Sequence, residues 1–219
     1  MTTRSYDLMV ISGRYKMPKS TFFNIEEEKR NRIEKAAFNE FYKNKFNEAS
    51  INNIVKEAKI SKGSFYQYFE DKYDIYKHIM DIISQEKIKY LMPVMEKSNE
   101  LDFFIFLKRL YIRGCEFAVN NPIYYKVAYD FLKDPELMER IYKEYKGMSN
   151  DFMFKFLRQG IENGSIREDI DLELISCMIS GLNESLSQYI INNVELDNVE
   201  KLEYLSDVLI DFLKNGIGK

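Results

Sequence analysis

Apolar residues recur at three- and four-residue steps along nearly the whole chain, with no sustained two-residue alternation. That is the period of helices that bury one face. Asn24 and Glu27 form a capping pair that predicts a first helix reaching about Asn44, with Ile33, Ala37 and Phe41 inward. Ser50 predicts the next start: its hydroxyl is placed to accept the backbone N–H of Asn53, and Ile51, Ile54, Val55 and Ala58 share one face. A second pair, Ser61 and Ser64, follows after only Lys59 and Ile60, so two short helices must meet around a tight turn. Asp71, with Asp74 three residues on, opens a longer helix to about Leu91 that turns Ile75, Ile79, Ile82 and Ile83 inward.

Helical periodicity continues to the C-terminus. Along Leu101 to Val119, Asp102, Arg109, Arg113, Glu116 and the adjoining Asn120 fall within a narrow arc and almost everything else is apolar, which suits the middle of a bundle. Asn121-Pro122 stops that helix and starts a short one, and Asp134-Pro135 caps a long one from Glu136 to about Glu162, closed by Asn163-Gly164. The last two run from about Leu172 to Asn193 and from Val199 to Asn215. In the first of these Ser176, Ser180, Asn183 and Ser187 make a stripe of small polar residues that would admit a close helix. The final helix is apolar around well over half its circumference, more than one core face absorbs. The fold class is therefore all-α, and a homodimer through the last two helices is expected.

Composition narrows the function classes. The 219 residues suffice for one large or two modest domains, and Cys115 and Cys177 are the only cysteines. Both are expected as small buried apolar residues in a reducing cytoplasm, not as a disulfide or metal pair. No apolar run approaches the roughly 18 to 20 residues of a membrane span. Net charge is −3, yet residues 1–77 carry 15 Lys and Arg against 11 Asp and Glu, while the remainder is acidic. The positive part coincides with the two short helices, a helix-turn-helix of the kind that reads double-stranded DNA.

The run Ala49-Ser50-Ile51, Ile54-Val55, Ala58, Ile60-Ser61-Lys62-Gly63-Ser64-Phe65-Tyr66, Tyr68-Phe69 and Lys72, preceded by Ala36-Ala37-Phe38, Phe41 and Phe46, closely resembles the N-terminal domain of the TetR family of transcriptional regulators. The resemblance covers about Asn24 to Tyr76. Two positions depart from it: Lys45 and Lys59 stand where that family usually has glycine. A left-handed lysine costs on the order of 1 kcal/mol relative to glycine, and Asn44 is placed to take over the first of these roles.

The resemblance implies a three-helix DNA-binding domain over 17–70 and an effector-binding and dimerisation domain over 71–219; residues 1–16 read either as an extension ahead of a natural start at Met17 or as a real, poorly ordered arm. It implies a cytoplasmic, ligand-responsive repressor that binds a near-palindromic operator as a dimer. The candidate DNA contacts are Ser50, Lys62, Gly63, Ser64, Tyr66, Gln67, Tyr68 and Lys72. Lys62, Ser64 and Gln67 carry donors or acceptors for base edges or phosphate, and Gly63 lets the backbone approach. Ser50 and Ser61 are also needed as caps, and Tyr68 also suits the core. Lys72, a cation beside a helix N-terminus, is unfavourable there unless a phosphate meets it. Four such lysines per dimer would give a log–log salt slope near −3.6.

For the effector, an apolar or aromatic small molecule, the candidates by position are Phe106, Tyr111, Tyr129, Met178 and Asn183, each of which also suits ordinary core packing. The Arg109, Arg113 and Glu116 arc reads as a solvated edge, and His78 as a packing residue. One histidine, no glycine-rich phosphate loop and no base beside either cysteine argue against an enzyme, a resident metal or a cofactor. The competing reading is an all-helical adaptor that has lost operator binding.

Overall fold

The computed structural model describes residues 18–144, 148–193 and 198–218. Among them are eleven α-helices and no strand: α1 Ser20–Phe23, α2 Glu27–Lys43, α3 Ile51–Glu57, α4 Lys62–Tyr68, α5 Lys72–Met95, α6 Phe103–Asn120, α7 Pro122–Leu132, α8 Pro135–Glu144, α9 Met148–Glu162, α10 Leu172–Asn193 and α11 Val199–Ile217. The expected extension over 1–16 and the start at Met17 lie outside the described residues. None of these helices is long and apolar enough to cross a membrane.

Several helix starts differ from expectation for local reasons. Asn24 closes α1, whose Phe22 is fully buried, so α2 begins after Glu26 without a side-chain cap. The Ser50 hydroxyl accepts the N–H of Asn52 at 3.2 Å, while Asn53 donates to the Ser50 carbonyl at 3.1 Å. At α5 the cap is reciprocal: Asp74 N–H donates to Asp71 at 2.8 Å, and Glu70 N–H donates to Asp74 at 2.9 Å. That helix runs past Leu91 to Met95 with Pro93 inside, whose missing N–H removes one bond near the helix end.

Contacts divide the chain into two compact units, the first taking residues up to Glu86 together with Pro122–Arg140, the second Lys87–Asn121 with Ile141 onward. The division thus cuts across the boundary expected after residue 70. In the first unit, Phe22, Ile33, Phe41, Ile54, Phe65, Phe69, Ile75 and Ile79 form the core, each buried. The α7–α8 segment joins them by side-chain stacking, Tyr124 on Phe38 at 4.7 Å and the Arg140 guanidinium on the Tyr73 ring at 3.4 Å. Its remote position in the chain hid this from a reading by local period.

The second unit is built on α6, which packs chiefly against α11 and also meets α9. Phe103, Phe104, Phe106, Leu107, Phe156, Leu157, Ile179, Leu209 and Leu213 share its core. Burying side chains of this size stabilises by about 1.5–3 kcal/mol each. Of the small polar stripe, Ser176 is buried, Asn183 half-buried and Ser180 exposed, and the Ser187 side chain lies outside the described residues. Among the described residues, the large apolar side chains exposed on α10 are Leu174, Met178 and Tyr189, and on α11 Tyr204, Val208 and Phe212. Cys177 is exposed and Cys115 half-buried, so the expectation of two buried cysteines holds for neither in full.

Candidate nucleic-acid interface

The turn between α3 and α4 is set by backbone geometry. Lys59 has φ +54°, the single positive φ of a non-glycine among the described residues. The N–H of Ile60 donates to the Val55 carbonyl at 3.0 Å and that of Lys59 to Lys56 at 3.3 Å, the paired bonds that close a helix over a left-handed residue. The lysine therefore carries the strain that a glycine there avoids. Lys45 shows no such conformation, and Asn44 is extended at φ −131°, so the first departure from the family pattern is accommodated without a left-handed residue.

Ser61 then caps α4, accepting the Ser64 N–H at 3.0 Å and meeting the Ser64 hydroxyl at 2.9 Å. Phe65 and Phe69 turn inward. Lys62, Gly63, Tyr66 and Gln67 are exposed, and Tyr66 keeps 43 % of its surface accessible. A Cβ added to Gly63 would meet nothing closer than Ser61 Oγ at 3.7 Å, so the chain's own packing leaves room for a side chain there. Tyr68 departs from the group: it is buried, its ring 5.9 Å from Phe22, with the Lys29 ammonium above it.

Residues ahead of α2, unmarked by any periodicity, brace the far end of α4. Lys19 donates through its ammonium to the Tyr66 carbonyl at 3.0 Å and through its backbone to Tyr68 at 2.9 Å, and the Thr21 hydroxyl donates to Gln67 at 2.6 Å. These donors meet the last carbonyls of the helix, and the lysine favours its negative end.

A second brace holds the start of α3. Glu40, on the buried face of α2, accepts the Ser50 N–H at 2.8 Å and the Asn53 side-chain amide at 3.1 Å. Lys72 donates to the carbonyls of Asn47 at 3.1 Å and Ala49 at 2.9 Å and lies over the Phe46 ring. Burial lowers the Lys72 pKa, with the Glu40 charge opposing. The lysine is thus engaged by its own protein, which supplies a reason for its place that needs no phosphate. Glu40 was missed because a period argument marks only apolar positions; a carboxylate amid Ala36, Ala37 and Phe41 was the available signal. His78 ties α5 to α2 through Glu34 at 2.8 Å.

The effector candidates fall in different places. Tyr129 belongs to the first unit, with the Lys133 ammonium over its ring. Phe106 packs against Phe156 at 4.4 Å in the core of the second. Met178 is 53 % exposed. Tyr111 and Asn183 each bury an oxygen that no hydrogen-bond partner meets. Arg113 pairs with Glu116 and donates to the Tyr90 carbonyl at 3.1 Å, which closes that edge on itself.

A short helix pair with an exposed, glycine-bearing reading face, braced at both ends, defines a helix-turn-helix DNA-binding protein. Residues 33–79 match the profile of bacterial regulatory proteins of the tetR family, and residues 101–217 that of the tetracyclin repressor-like C-terminal domain. The chain belongs to the TetR family of transcriptional regulators. It is 25% identical over 187 residues to the fatty acid metabolism regulator protein of Bacillus subtilis, covering 83% of this chain and 92% of that protein. A TetR family transcriptional regulator from Chloroflexus aurantiacus superposes with a TM-score of 0.66 at 28% identity, covering 93% and 99% of the two chains. The B. subtilis FadR structure in complex with stearoyl-CoA shares the fold, with a TM-score of 0.65 at 21% identity over 82% of this chain and 97% of that one.

Proposed function

We propose that this regulator is a repressor that binds a near-palindromic operator as a homodimer and leaves it when a small apolar ligand enters the second unit. The observation that carries the DNA end is the exposed face of Lys62, Gly63, Tyr66 and Gln67 on α4, directed outward by the buried Phe65 and Phe69. Lys62 and Gln67 meet bases or phosphate, Gly63 admits the backbone, and Tyr66 reaches the flanking backbone; Ser50 and Ser64 contribute from the helix starts. Tyr68 and Lys72 hold this surface in place. The operator is expected to be two-fold because the exposed apolar rows on α10 and α11 are covered by the same rows of a second copy, so that Met178 belongs to that interface. The effector is received around Tyr111 and Asn183, whose unmet oxygens await a partner. The stearoyl-CoA of the FadR relative supports a hydrocarbon-bearing ligand. The role is regulatory, and the protein works in the cytoplasm where its operator lies.

The test is a footprinting titration on DNA flanking the protein's own gene at two salt concentrations, with Gly63→Ala beside the wild type. A protected near-palindrome that fades steeply with salt, and is lost in a Gly63→Ala protein of unchanged stability, is expected. Flat, sequence-independent binding would overturn the reading in favour of the adaptor.

A further inference from the structure

The first unit holds a cavity of about 520 Å³ between α2, α5 and the α7–α8 segment, bordered by residues 45–47 of the loop that leads to α3. A space of that size takes a small organic molecule. Its floor is Phe41, Tyr76, Val127 and Leu137, each at most 4 % exposed. The rings of Phe41 and Phe46 stand edge-on to Tyr76, with centroids at 4.9 and 5.0 Å, so three aromatic rings gather at one wall. The loop residues here are the ones that hold Lys72, whose ammonium lies over the Phe46 ring at 4.8 Å and donates to the Asn47 carbonyl. The cavity therefore borders the brace at the start of α3.

Charge around it is uneven. Asp130, Asp134 and Glu136 line it against Lys45 and Lys133. Asp130 already pairs with Lys126, and the Lys133 ammonium lies over the Tyr129 ring at 4.4 Å. Asp134 accepts the Leu137 N–H at 3.0 Å, and among the described residues no cation pairs with its carboxylate. The polar group of the floor is the Tyr76 hydroxyl, which makes no hydrogen bond among the described residues. Burial, and after it the charges of Asp130 and Asp134, raise the Tyr76 pKa and keep the hydroxyl protonated. The Tyr76 side of the cavity is thus aromatic, negative and supplied with a neutral oxygen that accepts.

We infer that this cavity is a second ligand site, for an organic ammonium with an aromatic or apolar body, its N–H groups received by the Asp134 carboxylate and the Tyr76 oxygen. The rings of Phe41 and Phe46 take the body and favour the positive charge through their faces. A metal ion does not suit the place, since three of the walls are aromatic and no three metal-ligating side chains converge among the described residues. A carboxylate in the same position would meet Asp130 and Asp134, whose like charge repels it. The site lies wholly in the first unit, apart from the effector reading for the second.

The probes are 4-phenylbutylamine, charged at neutral pH, and 4-phenylbutanol, which shares its ring and chain and is neutral. Calorimetric titration of the full-length protein is expected to show the amine binding at least fivefold more tightly than the alcohol. Asp134→Asn, which keeps an oxygen for the Leu137 N–H and removes the charge, should bring the two within twofold. Tyr76→Phe, which keeps the ring, should weaken the amine several-fold. Hydrogen exchange should slow on amine binding in peptides covering 45–49 and 130–137. Equal or tighter binding of the alcohol, no binding of either probe, an Asp134→Asn protein that keeps the preference, or protection confined to other peptides would overturn the inference. Should Asp134→Asn fail to fold, Glu136→Gln on its exposed side chain takes its place and should at least halve the preference, an unchanged preference again overturning it.

Discussion

The Glu40 carboxylate on α2 accepts the backbone N–H of Ser50 at 2.8 Å, one residue ahead of α3. That bond, with the Asn53 amide at 3.1 Å, fixes where the helix-turn-helix begins relative to the helix behind it. Glu40 is buried, so removing its acceptors leaves donors without partners. Glu40→Ala should lower stability by about 1–3 kcal/mol in urea denaturation. Operator affinity should fall as well, and Glu40→Gln should recover much of both, since an amide oxygen still accepts from Ser50. A Gln variant as weak as Ala would show that charge, and not the hydrogen bond, carries the effect.

Lys59 supplies a gain. Its left-handed backbone at φ +54° is a conformation that glycine adopts without a Cβ penalty. Lys59→Gly is expected to stabilise the protein by up to about 1 kcal/mol, offset in part by the greater freedom of glycine when unfolded. Thermal unfolding at fixed protein concentration reads the sign; a lower midpoint would mean that the lysine side chain makes up for its backbone.

The two lysines of the candidate interface should separate in a salt titration. Lys62 is exposed, whereas Lys72 is held by the Asn47 and Ala49 carbonyls. One lysine per protomer, neutralising one phosphate each, accounts for a log–log slope of about −1.8 rather than the −3.6 expected for both. Lys62→Ala should flatten the measured slope by about 1.8, and Lys72→Ala should leave the slope while lowering stability. Equal flattening by the two would return Lys72 to the phosphates.

Phe212 is 63 % exposed on α11 in a row with Tyr204 and Val208. Phe212→Glu should place a charge in the proposed interface and give a monomer by sedimentation at micromolar concentration. Because the proposed dimer would bind two half-sites with one event made intramolecular, operator affinity should drop by at least about 100-fold. A Phe212→Glu protein that remains dimeric would move the interface elsewhere.

The all-helical class, the helix-turn-helix and most helix spans were legible in the sequence because they rest on local period and caps. Ser61 with Ser64 and Asp71 with Asp74 close their helix starts within three residues, distances that sequence spacing encodes directly. The left-handed demand at Lys59 was likewise legible from the tight turn and the family pattern. Tertiary structure decided the rest. Tyr68 and Lys72 look like DNA contacts in sequence, but Phe22 covers one and the carbonyls of residues 47 and 49 hold the other. The polar stripe on α10 divided between core and solvent because neighbouring helices, and not its own period, chose which face was covered. Tyr111 draws its interest from what surrounds it, since an unmet hydrogen bond exists only once the chain has folded.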